Sequence, residues 1–265
     1  MGSLLSGIPG RKNCGILILI RSERGFSMKR TVFFLLSALI LSSPLFAARP
    51  LVTDDFGTVR MGKYEIEAGS YSSAPSAGGN TVGNAVLQAK YGLLGYLDVG
   101  VEMPYYFSLP VGFGDGTINA KFKIAEYGEN SGLSLRVGIK LANADASSGL
   151  GTGHADYSVL AIYSREMSDF RTHYNIGYTL VGVPAGAAEA NVISYSAAVE
   201  REVYPGADIV LECFGRSSSS TRSNVSAQIG GRWQVTRDYR VDTGYSVDFD
   251  NNSQDVATIG VTFTY

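Results

Sequence analysis

Two histidines in 265 residues, His154 and His173, bound the acid–base and metal chemistry this chain can carry. A metal site built on several imidazoles is excluded by that count. The two cysteines, Cys14 and Cys213, are too far apart in sequence to form a metal-ligand pattern or a disulfide framework by spacing. Nucleophilic chemistry needs a Ser and a His adjacent on one face, commonly as His-x-Ser, with an Asn or an acid orienting the imidazole. The chain offers His154-Ala155-Asp156 and His173-Tyr174-Asn175 instead. Ser158 shares a face with His154, but four residues along a strand is about 13 Å, too far for a local dyad. His173 beside Asn175 reads as a satisfied polar pair. A lipid-modifying hydrolase is therefore the minor reading, and no catalytic residue, metal ligand or cofactor is assigned.

The ionisable residues remain, 22 Lys and Arg against 24 Asp and Glu, a formal charge of −2. Such a balance has no basic stripe for nucleic acid, which is excluded as a partner. Lys90, Asp98, Glu102, Lys121, Lys123, Arg136, Lys140, Glu212, Arg232 and Asp242 all fall on the polar side of segments that otherwise alternate with apolar residues. If those polar sides face a common interior, these ten are candidates to line a pore. Mixed signs predict cross-strand ion pairs that narrow the bore, not a single-sign filter. A turn near Arg237 sets Arg232 opposite Asp242, a favourable pairing. Lys121, Lys123 and Arg136 would face Asp98 and Glu102 in a mixed-charge constriction. A turn near Tyr204 would set Glu200 opposite Asp208, which calls for a slip or bulge at Pro205-Gly206, or for a bound cation.

The elements that must hold these side chains are strands, because the dominant period beyond residue 60 is two. Leu97, Val99, Val101, Met103 and Tyr105 alternate with Asp98, Gly100, Glu102 and Pro104, with Pro104 the misfit in a paired strand. Leu133, Leu135, Val137, Ile139 and Leu141 alternate with Ser134, Arg136, Gly138 and Lys140. Twelve segments read this way, at about 60–72, 83–93, 96–107, 115–125, 131–142, 153–164, 170–181, 191–201, 206–216, 223–235, 239–249 and 255–265. Connections after even-numbered segments are short, and those after odd-numbered ones include the long stretches 73–82, 143–152 and 182–190. Short turns at one end and longer loops at the other predict an all-β, antiparallel up-and-down transmembrane barrel. Twelve strands lie between barrels filled by side chains and the wide porins, so the bore should be narrow or plugged.

A secreted β-sandwich or a lipocalin-like barrel would also alternate, but with its apolar side packed inward. Here the apolar side carries Tyr64, Tyr91, Tyr105, Tyr157, Tyr163, Tyr178, Tyr195, Trp233 and Tyr239 near strand ends. That placement suits an aromatic girdle at two membrane interfaces, and therefore outer-membrane lipid as a partner. The chain closes on alternation ending at Phe263 and Tyr265, which looks like the C-terminal signal read by the outer-membrane assembly machinery. In lipid an unpaired edge would strand backbone donors, so the last strand must pair with the first.

Ahead of the barrel, Met28-Lys29-Arg30, an apolar run and Ser42-Ser43-Pro44-Leu45-Phe46-Ala47-Ala48 form a secretory leader, too short to span a membrane. The organisation expected is residues 1–27 as a start-site artefact, 28–47 as signal peptide, 48–59 as a periplasmic N-terminal segment and 60–265 as barrel. The location implied is the bacterial outer membrane.

Arg49-Pro50-Leu51-Val52-Thr53-Asp54-Asp55, then Gly62-Lys63-Tyr64-Glu65-Ile66-Glu67, resembles the start of the outer-membrane family labelled the MetA-pathway of phenol degradation. Lys90-Tyr91-Gly92-Leu93, Leu97 to Tyr105, and Gly114-Asp115-Gly116 before Ala120-Lys121-Phe122 carry the resemblance through residues 49–125. It implies passage of small solutes, aromatic or hydrophobic ones among them, across the outer membrane, with no catalytic motif to carry over. The expected function is a passive channel, with a closed structural barrel as the alternative.

Overall fold

A computed structural model describes residues 49–75, 81–127, 131–184, 191–218, 223–249 and 254–265. The leader and residues 1–27 lie outside them. Twelve strands run β1 Tyr64–Pro75, β2 Val82–Leu94, β3 Leu97–Tyr106, β4 Thr117–Glu126, β5 Gly132–Lys140, β6 Asp156–Met167, β7 Phe170–Leu180, β8 Val192–Tyr204, β9 Ala207–Ser218, β10 Asn224–Gln234, β11 Tyr239–Asp248 and β12 Gln254–Thr264. Each pairs antiparallel with its sequence neighbours. β1 pairs with β12, Ala68 opposite Val261, and this last pairing closes the sheet on itself so that it has no free edge. No helix among the described residues is long and apolar enough to cross a membrane, and crossing falls to the strands.

Side-chain facing follows from the alternation. On β5, Arg136 and Ser134 are buried inside while Val137 and Ile139 stand exposed outside; on β3, Asp98 and Glu102 are inside and Val101 outside. An exposed outer row of Val, Ile, Leu and Tyr around a polar, buried interior is the reverse of a water-soluble protein and the form lipid requires. Tyr64, Tyr157, Tyr178 and Trp233 stand exposed on that outer surface.

Pro104 is accommodated because β4 stops pairing with β3 at Glu102 opposite Thr117. Beyond it, Gly112 and Phe113 pair back on Tyr106 and Tyr105, and the Gly114 N–H donates to the Pro104 carbonyl. The first strand starts later than its alternation suggests. Residues 60–63 instead turn at Gly62, whose φ of 77° lies in the left-handed region open to glycine. Gly62 N–H donates to the Gly92 carbonyl, and Gly92 N–H to that of Lys63. This turn redirects a chain that arrives from inside the barrel.

The segment expected in the periplasm, described from residue 49 to 59, lies in the lumen. Arg49, Leu51, Thr53, Asp54 and Phe56 are all buried there. Two small apolar clusters result, Leu51 with Ala198 and Val210, and Phe56 with Leu160 and Ile162. Both sit inside the barrel, where period-two reasoning assigns polar side chains.

Candidate functional site: the plugged lumen

The first described residue of the plug is Arg49. Its Nη1 donates to the Tyr71 hydroxyl at 2.5 Å, Nη2 to Thr258 Oγ1 at 2.6 Å and to the Ile259 carbonyl at 2.9 Å, and Nε lies 3.4 Å from Asp242. The guanidinium occupies space that two glycines leave open. A Cβ on Gly69 or Gly260 would overlap it. Pro50 fits the same way against Gly230 and Gly244, where a Cβ would meet its ring at 2.8 and 3.2 Å. The wall is therefore shaped to the plug.

From Arg49 the plug crosses to β9, where Glu212 accepts from the Val52 N–H at 2.9 Å and from both the N–H and the hydroxyl of Thr53. Gln228 on β10 donates to the Pro50 carbonyl at 2.6 Å. Asp54 then bridges Lys121 on β4, at 2.9 Å, and Arg136 on β5, at 2.7 Å. Its backbone meets the Asn175 amide, which accepts from Asp54 N–H at 2.6 Å and donates to its carbonyl at 3.0 Å in the amide orientation that satisfies both atoms. Phe56 is held by its N–H on Ser164 Oγ at 3.0 Å and by Ser134 Oγ donating to its carbonyl at 2.5 Å. Val59 N–H donates to Asp98 at 2.9 Å, and the plug leaves through the Gly62 turn. Charge-assisted contacts at Asp54, Glu212, Asp98 and Asp242 are the stronger kind of hydrogen bond in such an interior.

The ten candidate wall residues accordingly sit where alternation places them, but mostly with partners that pairing between strands does not supply. Arg232 is opposite Asp242 in register. Even so, Asp242 contacts Arg49, and Arg232 contacts Glu200, with Asp208 at 3.8 Å. Asp98 is opposite Lys121 in register, yet both turn to the plug. Lys140 pairs with Asp156 at 2.8 Å, and Lys90 with Glu67 at 2.6 Å and Glu65 at 3.0 Å. Lys123 is at the strand end, 3.3 Å from Glu126 and over the Phe56 ring. Glu102 is buried, with no hydrogen bond or ion pair among the described residues. The expected cluster of Lys121, Lys123 and Arg136 around Asp98 and Glu102 is thus replaced by a centre on Asp54. A carboxylate from a separate segment reaches both cations at once, which neighbouring strand positions do not.

The expected bulge is present: the register shifts between Ala207 and Asp208, so that Glu200 faces Val210. Asp208 then faces another acid, Glu202, and its charge is met by Arg171 at 3.1 Å. Glu200 then meets Arg171 at 2.9 Å and Arg232.

His173 does not pair with Asn175. Its Nδ1 is 2.7 Å from Ser164 Oγ and its Nε2 is 3.3 Å from Glu200. A Ser–His–carboxylate contact therefore exists, assembled from β6, β7 and β8 by register, which local motifs in the sequence do not show. The Ser164 hydroxyl is 1% exposed and accepts the Phe56 N–H, so the group is sealed beneath the plug. Among the described residues, no three His, Cys, Asp or Glu side chains converge as a metal cluster.

Between plug residues 54–59 and the wall of β1–β5 and β11 lies a cavity of about 170 Å³, bordered by Asp55, Thr58, Glu65, Lys90, Lys121 and Arg240 among others. It is small, and charges of both signs line it.

The family described as "Putative MetA-pathway of phenol degradation" matches residues 47–265. Among solved structures, the outer membrane channel titled COG4313 from Pseudomonas putida F1 is similar at 14% identity and a TM-score of 0.62, over 80% of this chain and 98% of that one. KdgM porin is similar at 7% identity and a TM-score of 0.57, over 75% and 99%. Both likenesses show the fold, that of outer-membrane β-barrel channels. Among curated proteins, none matches by sequence.

Proposed function

Because the chain belongs to the family described as the MetA-pathway of phenol degradation, we propose that it is an outer-membrane channel for the passive passage of small solutes, aromatic and hydrophobic ones included. The lumen is throttled by the chain's own N-terminal segment. The observation that carries this reading is the charged cavity left between residues 54–59 and the wall of β1–β5 and β11, inside a barrel closed in every strand pairing. The candidate wall residues Lys90, Lys121 and Arg136 border it together with Asp98. Phe263 and Tyr265, stacked at 6.5 Å on the outer surface at the closing strand, are the elements offered to the assembly machinery.

One specific observation favours a closed structural barrel as the second reading. The plug is anchored on β1, β3, β4, β5, β6, β7, β9, β10, β11 and β12, which leaves little room. Hydrolysis at Ser164 has less support, because Phe56 covers the hydroxyl. Single-channel conductance in planar bilayers, with uptake of phenol-sized and sugar-sized solutes into proteoliposomes, separates the readings. The channel reading expects small conductance and uptake of the smaller solute only. Neither conductance nor uptake would leave the structural barrel.

A further inference from the structure

Three inward residues in consecutive register, Glu67 on β1, Gln88 on β2 and Glu102 on β3, present oxygen atoms that the chain leaves without donors. Glu67 is opposite Gln88, and Gln88 is opposite Glu102. All three are more than nine-tenths buried. Glu67 Oε2 and Gln88 Oε1 are fully buried and have no hydrogen-bond partner among the described residues. Glu67 uses its other oxygen on Lys90, which Glu65 shares at 3.0 Å. Two carboxylates thus share one ammonium. Arg136 acts on Glu102 through its field but makes its ion pair with Asp54, and Lys140 pairs with Asp156.

Burying a carboxylate away from water without a donor or counter-charge is strongly unfavourable. Two such groups flanking an amide oxygen need something electropositive. Carboxylate and amide oxygens are the donors that hard cations take. In-register neighbours on adjacent strands stand about 4.5–5.5 Å apart at Cβ, close enough for long side chains to converge on a shared ion.

We propose that Glu67, Gln88 and Glu102 form a divalent-cation site on the lumen wall, suited to Ca²⁺, with the remaining positions filled by water. Two protein carboxylates and one amide make a sparse shell, so affinity should be in the range of extracellular calcium modules, with Kd on the order of 10⁻⁴–10⁻³ M. The site stands whether or not the barrel conducts. It supplies a cross-link between β1, β2 and β3 that depends on the medium.

The test uses the purified, EDTA-washed full barrel in detergent, with CaCl₂ as the probe and MgCl₂ as a second arm. Calorimetry should show about one Ca²⁺ per barrel, and millimolar Ca²⁺ should raise Tm. Glu102→Gln, which breaks no hydrogen bond or ion pair among the described residues, should weaken Ca²⁺ binding by about tenfold or more and abolish the Tm shift. Glu102→Asp should retain part of both. Heat-modifiable migration on gels shows that each variant is folded. Absence of Ca²⁺-dependent heat and Tm shift in the parent protein would overturn the site, as would binding that survives Glu102→Gln. If Glu102→Gln raised Tm in EDTA while the parent ignored both ions, the occupant would be a proton, and the cation site would likewise fall.

Discussion

Arg49 and Asp242 lie 193 positions apart in sequence and 3.4 Å apart in the lumen, joining the plug to the eleventh strand. Both groups are buried, and the remaining donors of Arg49 are taken by Tyr71, Thr258 and Ile259. Removing one partner leaves the other charged and uncompensated in a low-dielectric interior, which costs about 3–5 kcal/mol. Asp242→Ala should therefore loosen the plug more than it loosens the barrel. The expected readout is higher conductance and faster proteolysis at residues 49–59, with heat-modifiable migration retained.

The glycine cradle gives a test that does not alter charge. Gly69→Val and Gly260→Val would place carbons in the volume of the Arg49 guanidinium, while β-branched residues are otherwise welcome in a strand. Each should raise single-channel conductance by unseating Arg49. Gly231→Val is the control, since a Cβ there meets only the Asp208 carbonyl at 3.6 Å. Equal conductance in all three variants would mean that Arg49 does not limit the bore.

Asp54 is the counter-ion of both Lys121 and Arg136, so its removal should change selectivity as well as size. Asp54→Asn keeps the shape and leaves two cations beside the cavity. Reversal potentials in a salt gradient should shift toward anions. Asp98→Asn should shift them less, because Asp98 holds a backbone N–H and no cation within salt-bridge distance. The opposite ranking would place the constriction nearer β3 than the Asp54 centre.

How much of this was legible in the sequence divides by physical cause. Strand number, facing and the Arg232–Asp242 register follow from alternation and turn position, which are local. The destination of residues 49–59 is not, because it depends on contacts with strands all around the barrel. Three residues carried a signal of it. Leu160, Ile162 and Val210 occupy inward positions where a water-filled lumen would favour polar groups, and each packs on Leu51 or Phe56. The bulge at Ala207 was legible as a like-charge conflict between Glu200 and Asp208. The Ser164–His173–Glu200 contact was not, since it links three strands through a register that no short motif encodes.

The closing strand offers a prediction that separates assembly from closure. Tyr265 exchanges backbone hydrogen bonds with Tyr64, N–H to carbonyl at 2.9 Å in each direction, while its ring stacks on Phe263 outside. Replacing Phe263 and Tyr265 by Asp removes the aromatic pair and leaves the backbone seam able to form. Deleting Tyr265 removes both. If the aromatic pair is the assembly signal, both variants should remain in the periplasm, protease-sensitive and not heat-modifiable. Membrane insertion of the Asp variant with failure of the deletion would assign the role to the seam.

Phe56 and Ser164 distinguish a plug seat from a sealed hydrolase. The Phe56 ring packs on Leu160 and Ile162 and lies under the Lys123 ammonium at 5.6 Å, and its backbone is pinned by Ser164 and Ser134. Truncation to Ala removes the ring from a buried cluster, a change worth about 3–5 kcal/mol in well-packed cores. Phe56→Ala should therefore widen the bore and lower the stability of the plug. Ser164→Ala deletes the acceptor for Phe56 N–H and one partner of His173, a loss of about 1–3 kcal/mol for a buried unsatisfied donor. It should loosen the plug in the same direction but less. If Ser164 were a nucleophile that Phe56 merely covers, Phe56→Ala would uncover esterase activity toward a small chromogenic ester, and Ser164→Ala in that background would abolish it. The plug-seat reading expects no such activity in either variant and a graded rise in conductance, from parent to Ser164→Ala to Phe56→Ala.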